Sequence, residues 1–161
     1  SDPLEHVSTA GGRLFASYLH DVTSRVEVWR YDGTREREVQ LPGLGTAMGF
    51  MGERDASSVW YTFTSFTAPA TVYRYRLSSG ESTVYRAVTL PFDPSAFETR
   101  QVFVTSKDGT RVPAFIVARR GLVLDGNNPT ILYGYGGFNV SLPPQFSAMR
   151  VAFLEQGGVY V

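Results

Sequence analysis

The sequence contains no cysteine and only two histidines, His6 and His20. The first absence removes disulfides, thiolate metal sites and a cysteine nucleophile together. The second leaves little for metal chemistry: both histidines lie near the N-terminus with no acidic or histidine partner at ligand spacing, so each reads as a surface or strand residue. Blocks of one charge sign are also missing. Fifteen basic residues balance fifteen acidic ones, without clustering, which gives no electrostatic footprint for nucleic acid or for an anionic membrane surface. No apolar run approaches the roughly eighteen residues of a transmembrane helix, and no signal-peptide pattern opens the chain. Nothing calls for a cofactor. The compartment is not set by these absences; the cytoplasm is the expectation.

What is present is ample apolar and aromatic residue, 43% and 14% of 161 positions, enough for a sizeable core. The chain is organised around Ile131-Leu132-Tyr133-Gly134-Tyr135-Gly136-Gly137-Phe138, an apolar strand that runs into an aromatic, glycine-rich turn. Glycines allow backbone N–H groups to approach a ligand closely, and a strand, such a loop and then a helix is the setting in which α/β-hydrolases place part of an oxyanion hole. A plain tight turn at a strand end would look the same.

Residues 1–90 repeat themselves. Leu14-Phe15-Ala16-Ser17-Tyr18 matches Val59-Trp60-Tyr61-Thr62-Phe63, and the run from Val26 to Tyr31 matches that from Thr71 to Arg76, at an offset of 45 from Leu14 to Val59 and from Glu27 to Val72. Each second run meets a turn, Asp32-Gly33 or Ser78-Ser79-Gly80, and then a third extended run, Arg35 to Val39 or Ser82 to Arg86. Asp-Gly between alternating strands predicts a type I′ hairpin. A strand meander repeating at this period is the mark of a β-propeller blade, with a simple two-sheet β domain as the alternative. Two blades close no propeller, so the first half is expected to be part of something larger.

The character changes at Leu90-Pro91-Phe92-Asp93-Pro94-Ser95, where two prolines disfavour both helix and ladder pairing; residues 91–100 read as an interdomain crossover. Beyond it, extended runs at Gln101 to Thr105 and Val112 to Val117 flank a second Asp-Gly turn, Asp108-Gly109. A loop at Gly126-Asn127-Asn128-Pro129 leads into a strand from Thr130 to Tyr133. From Ser147, a candidate N-cap, the period becomes helical at Met149, Ala152, Phe153 and Gln156, with Gly157-Gly158 as the stop. Val159-Tyr160-Val161 begins another strand, expected to pair parallel to the one before the helix. Residues 101–161 are thus expected to be the opening of an α/β sheet that needs several more units to be covered on both faces.

The runs Ser106-Lys107-Asp108-Gly109-Thr110-Arg111-Val112-Pro113, Asp125-Gly126 and Leu132 to Ser141, with Phe63-Thr64-Ser65-Phe66 and Pro69 in the second repeat, closely resemble the prolyl oligopeptidase family of serine peptidases. The resemblance covers nearly the whole chain and is collinear. It implies a mixed fold, the C-terminal blades of a β-propeller followed by the first strands and helix of an α/β-hydrolase domain, in a peptidase that cleaves short peptides after proline. It also implies that the nucleophile, acid and histidine lie beyond this stretch. The sequence agrees, since no Gly-x-Ser-x-Gly elbow occurs in it and neither histidine has the chain position a triad requires. Two roles carry over by position. Tyr135 matches the residue whose phenol donates to the tetrahedral oxyanion, as a neutral phenol can, and Phe138 matches an aromatic near the substrate's proline. For both, the alternative is a core aromatic at a strand end; Tyr133 is left as structural. Oligopeptidase B resembles the loop less well. Other readings are a free-standing β-rich binding module or a hydrolase completed by a partner chain. The stretch by itself is expected to be inactive and to self-associate through unpaired strand edges.

Overall fold

Period-two alternation becomes strand wherever the sequence carries it, in a computed structural model that describes residues 2–161. Strands β1 (Leu4–Ala10), β2 (Arg13–His20), β3 (Thr23–Arg30) and β4 (Arg35–Glu38) form one antiparallel sheet in sequential order. Strands β5 (Thr46–Met51), β6 (Ser58–Thr64), β7 (Thr71–Arg76) and β8 (Ser82–Arg86) form a second of the same topology. The matched runs therefore occupy equivalent places, and each unit has a first strand, β1 or β5, that the alternation does not announce. In β5 the reason is visible: Gly49 and Phe50 both have positive φ, and the register with β6 shifts between Gly49 and Met51.

The Asp-Gly turns are not type I′. Gly33 alone is left-handed at the β3–β4 turn, where Gly33 N–H donates to Arg30 O and Arg30 N–H to Thr34 O. Gly109 repeats this arrangement with Ser106 and Thr110. Both are three-residue loops ending in a left-handed glycine, with the aspartate carboxylate accepting from the N–H two residues on. Positive φ at two successive residues is used instead at Gly11-Gly12 and at Asp21-Val22, between β2 and β3.

The two sheets share a core of Phe15, Val26, Val28, Phe50, Val59, Tyr61, Phe63 and Tyr75 with smaller neighbours. Its rings are in register: Phe15 lies 5.5 Å from Phe50, Phe50 4.5 Å from Tyr61 and Tyr61 5.2 Å from Tyr73, each pair stacked. Such pairs add about 0.5–1.5 kcal/mol each beyond the area they bury. The two carboxylates drawn into the first sheet are paired. Glu27, nearly buried in β3, accepts from Arg25, Trp29 and Arg35, and Glu36 in β4 accepts from Arg13 and Arg30.

The third sheet has the order β11-β12-β10-β9, with β9 (Phe97–Thr105), β10 (Arg111–Arg119), β11 (Thr130–Ile131) and β12 (Val159–Tyr160). β9, β10 and β12 run antiparallel in turn, while β11 and β12 pair parallel, Thr130 with Val159 and Ile131 with Tyr160. Helix α1 (Ala148–Glu155) makes the crossover between them, as the sequence predicts, and the Ser147 hydroxyl accepts from Arg150 N–H. The helix buries a different face from the one spaced from Met149. Val151 and Leu154 go inside and Met149 is 86% exposed, because the third sheet lies under the 151/154 edge. The stretch after Leu90 also carries more regular structure than its prolines suggest. Pro94 opens a single 3₁₀ turn, Pro94–Ala96, capped by Asp93, at a position where a missing N–H leaves no bond unmade, and β9 begins at Phe97 rather than Gln101.

The second core holds Phe66, Phe97, Phe115, Val117, Val151 and Leu154, with Val22 and Leu44 packed against it. Phe66 comes from the β6–β7 loop and Val22 from the β2–β3 turn, so the first two sheets reach into the core of the third.

Candidate functional site

The parallel ladder delivers the glycine-rich loop. Tyr133 N–H donates to Val161 O and Val161 N–H to Ile131 O, both at 2.8 Å, so the strand direction is fixed as far as Tyr133. The chain then leaves the sheet. Gly134 to Gly137 carry it outward, Phe138 and Asn139 both take φ of +55°, and Val140 N–H closes the turn on Gly137 O at 3.1 Å. The loop has little room to spare beside Tyr135. A Cβ at Gly137 would come within 3.3 Å of the Tyr135 hydroxyl, so a larger residue there would press on the phenol.

Tyr135 is 47% exposed and lines a cleft of about 360 Å³. Val112 to Phe115 of β10 and Leu132 to Tyr133 form part of its wall, Val140 to Leu142 and Tyr160 another part, and Val22 and Phe66 complete it from the first two sheets. The wall is mainly apolar, suited to a compact hydrophobic side chain, and the phenolic hydroxyl adds a hydrogen-bonding group to it. Tyr135 is therefore no core aromatic. Tyr133 lines the same cleft and is more than half exposed. Phe138 stands apart, 94% exposed and outside the cleft wall.

The histidines lie on the first sheet. His20 Nδ1 sits 3.0 Å from Asp2, which the fold brings beside it, and Nε2 3.7 Å from Asp21, its neighbour in the chain. Hydrogen bonds from Arg13 and Arg30 hold the Glu36 carboxyl down to about 2. Among the described residues no group of three or more His, Cys, Asp or Glu is arranged to hold a metal ion, and no helix is long and apolar enough to cross a membrane. Sequence reasoning missed Val22 and Phe66 as wall residues. Phe66 was within reach, since Phe63-Thr64-Ser65-Phe66 is among the runs that carry the resemblance, but nothing local says that its ring crosses into another sheet.

Residues 1–88 match the family model described as prolyl oligopeptidase, N-terminal beta-propeller domain. The chain is 43% identical over 160 residues to a prolyl endopeptidase of Elizabethkingia meningoseptica, an alignment covering 99% of this chain and 23% of that protein. It superposes with a TM-score of 0.88 and 46% identity on a structure from a study of two prolyl endopeptidases and the role of inter-domain dynamics in their catalysis and specificity, over 99% of this chain and 24% of that one. Against oligopeptidase B of Trypanosoma brucei with covalently bound antipain, the TM-score is 0.81 and the identity 26%, over 99% and 24% of the two chains. The chain thus spans about a quarter of the length of the relatives it matches.

Proposed function

The chain belongs to the prolyl oligopeptidase family, and from that premise we propose that it is part of a serine-type endopeptidase that hydrolyses short peptides on the carboxyl side of proline. In this reading residues 1–90 are propeller blades, 91–100 the crossover, and 101–161 the opening of the α/β-hydrolase catalytic domain. Tyr135 donates its phenolic hydrogen bond to the oxyanion that forms when the nucleophile attacks the scissile carbonyl. A donor aimed at developing charge stabilises the transition state more than the bound peptide. Phe138, projecting from the loop, contacts the substrate near its proline once a peptide is bound. The triad is contributed from outside these 161 residues, in which no nucleophile elbow occurs.

The observation that carries the proposal is the place of Tyr135: at the exit of a strand paired parallel across a helix, on the rim of an apolar cleft. The runner-up, oligopeptidase B, has the lower identity of the two solved relatives compared above. The test is cleavage by the full-length protein of matched peptides carrying proline, alanine or arginine before the scissile bond. Turnover confined to the proline peptide is expected, and cleavage after arginine would shift the assignment. The 161-residue chain alone is expected to take up no active-site serine phosphonate, and stoichiometric labelling of it would overturn the reading.

A further inference from the structure

The cleft is walled by residues from different sheets, and one side chain joins them. Arg150, in α1, holds its guanidinium 4.2 Å from the centre of the Tyr160 ring and 5.1 Å from that of Phe66. Its Nη1 donates to Gln145 O at 2.6 Å and to Phe66 O at 3.4 Å. Its Nε is buried without an acceptor among the described residues, which costs free energy unless the surrounding contacts offset it. Tyr160 lies on β12 and Phe66 at the tip of the β6–β7 loop, and both line the cleft that Tyr135 also lines. Phe66 is seated 5.2 Å from Phe115 and 6.0 Å from Tyr160, ring centre to ring centre.

The loop that carries Phe66 is braced within itself. Ser65 N–H donates to Ala68 O, and the Ser65 hydroxyl accepts from Ala68 N–H and Thr67 N–H. These bonds tie its residues together, and Phe66 and Arg150 join it to the third sheet and its helix. A guanidinium suits this task because it is planar: it can lie against aromatic faces and still donate in its own plane, which an ammonium cannot do at once.

We propose that Arg150 is a positioning residue, which holds Phe66 in the cleft wall so that the shape of the peptide pocket depends on how the second sheet is seated on the third. The kinetic consequence rests on the peptidase reading; the mechanical one does not. In the full-length protein, Arg150→Gln and Phe66→Leu should each raise KM for a proline peptide about five- to tenfold with kcat changed less than about twofold, and the double variant should be no worse than the poorer single one. Backbone amides of residues 65–68 should exchange with solvent about tenfold faster in Arg150→Gln. Arg150→Lys should behave like Arg150→Gln in both measurements, and it replaces that variant should the latter fail to fold. Additive effects on KM, an unchanged KM with only a lowered Tm, or unchanged exchange at 65–68 would each overturn the proposal. Should the wild-type protein cleave no peptide, the peptidase reading falls and the exchange measurement alone decides the role of Arg150.

Discussion

The first two sheets bury their aromatic rings against each other, while the third buries its own against residues lent by the first two. Phe15, Phe50, Tyr61 and Tyr75 belong to a cluster with no member beyond Leu77. The cluster under α1 includes Phe66, with Val22 and Leu44 packed on it. The first arrangement is closed by local strand pairing and stacked rings, so its contacts serve stability. The second is assembled from distant segments and leaves the loop from Leu132 to Leu142 largely exposed, so its contacts set the shape of the cleft. Stability and proposed chemistry are thereby placed in different parts of the chain, and substitutions should separate them.

The largest effect is expected at the closed core. Phe15→Ala removes a fully buried ring and should lower unfolding free energy by about 3–5 kcal/mol, read by denaturant titration of the full-length protein, with kcat per folded molecule unchanged. A fall in kcat under folding conditions would break the division. Next is Tyr135→Phe, which should lower kcat about 100-fold with KM within about twofold. Tm should not move, since the hydroxyl belongs to a half-exposed side chain. A change in KM alone would make Tyr135 a substrate-binding residue instead.

A smaller effect belongs to Glu36 in the first sheet. Its carboxyl is held from an ordinary 4.5 down to about 2 by hydrogen bonds from Arg13 and then Arg30. Its folded-state value lies below its unfolded one, so the stability it contributes is fully present above about pH 4.5 and is lost as the pH falls toward 2. The denaturation midpoint should decline across that window, and Glu36→Gln should flatten the decline; equal acid sensitivity of the two proteins would remove Glu36 as its source. The smallest effect is at Phe138. Its ring is almost wholly exposed, so Phe138→Ala should change stability by less than about 0.5 kcal/mol and raise KM about fivefold through the lost contact with peptide. An unchanged KM would take Phe138 out of the substrate contact.

The strands that could be read from the sequence are those that carry the 45-residue repeat, β2, β3, β6 and β7, and of these β6 alternates most cleanly, with Val59, Tyr61 and Phe63 inside. β5 escaped because Gly49 and Phe50 take left-handed backbone and break the alternation, and β1 because its register slips between Leu4 and His6. The cap at Ser147 and the parallel return of β12 were legible, since both rest on local chemistry and chain order. The buried face of α1 was not: Met149 and Val151 are equally apolar as letters, and only the third sheet decides between them. Of the cleft, Tyr135 could be placed from its loop. Val22 could not, because a β-branched residue in the left-handed region is a poor guess for any turn, and its neighbours in space are remote in sequence.

That remoteness has a consequence in time. The hydrogen bonds that join the sheets span long stretches of chain: 98 residues from Thr46 to Pro144, 84 from Phe66 to Arg150, and 80 from Asp21 to Gln101. Hairpin pairs in the first two sheets close over a few residues and need no such search, and distant pairings are slower to form. Pulse-labelled exchange during refolding is therefore expected to protect the Val39 amide, bonded to Val26, before the Val161 amide, bonded to Ile131; simultaneous protection would refute the order. The cleft is then the youngest part of the folded molecule, and the first that partial unfolding gives back.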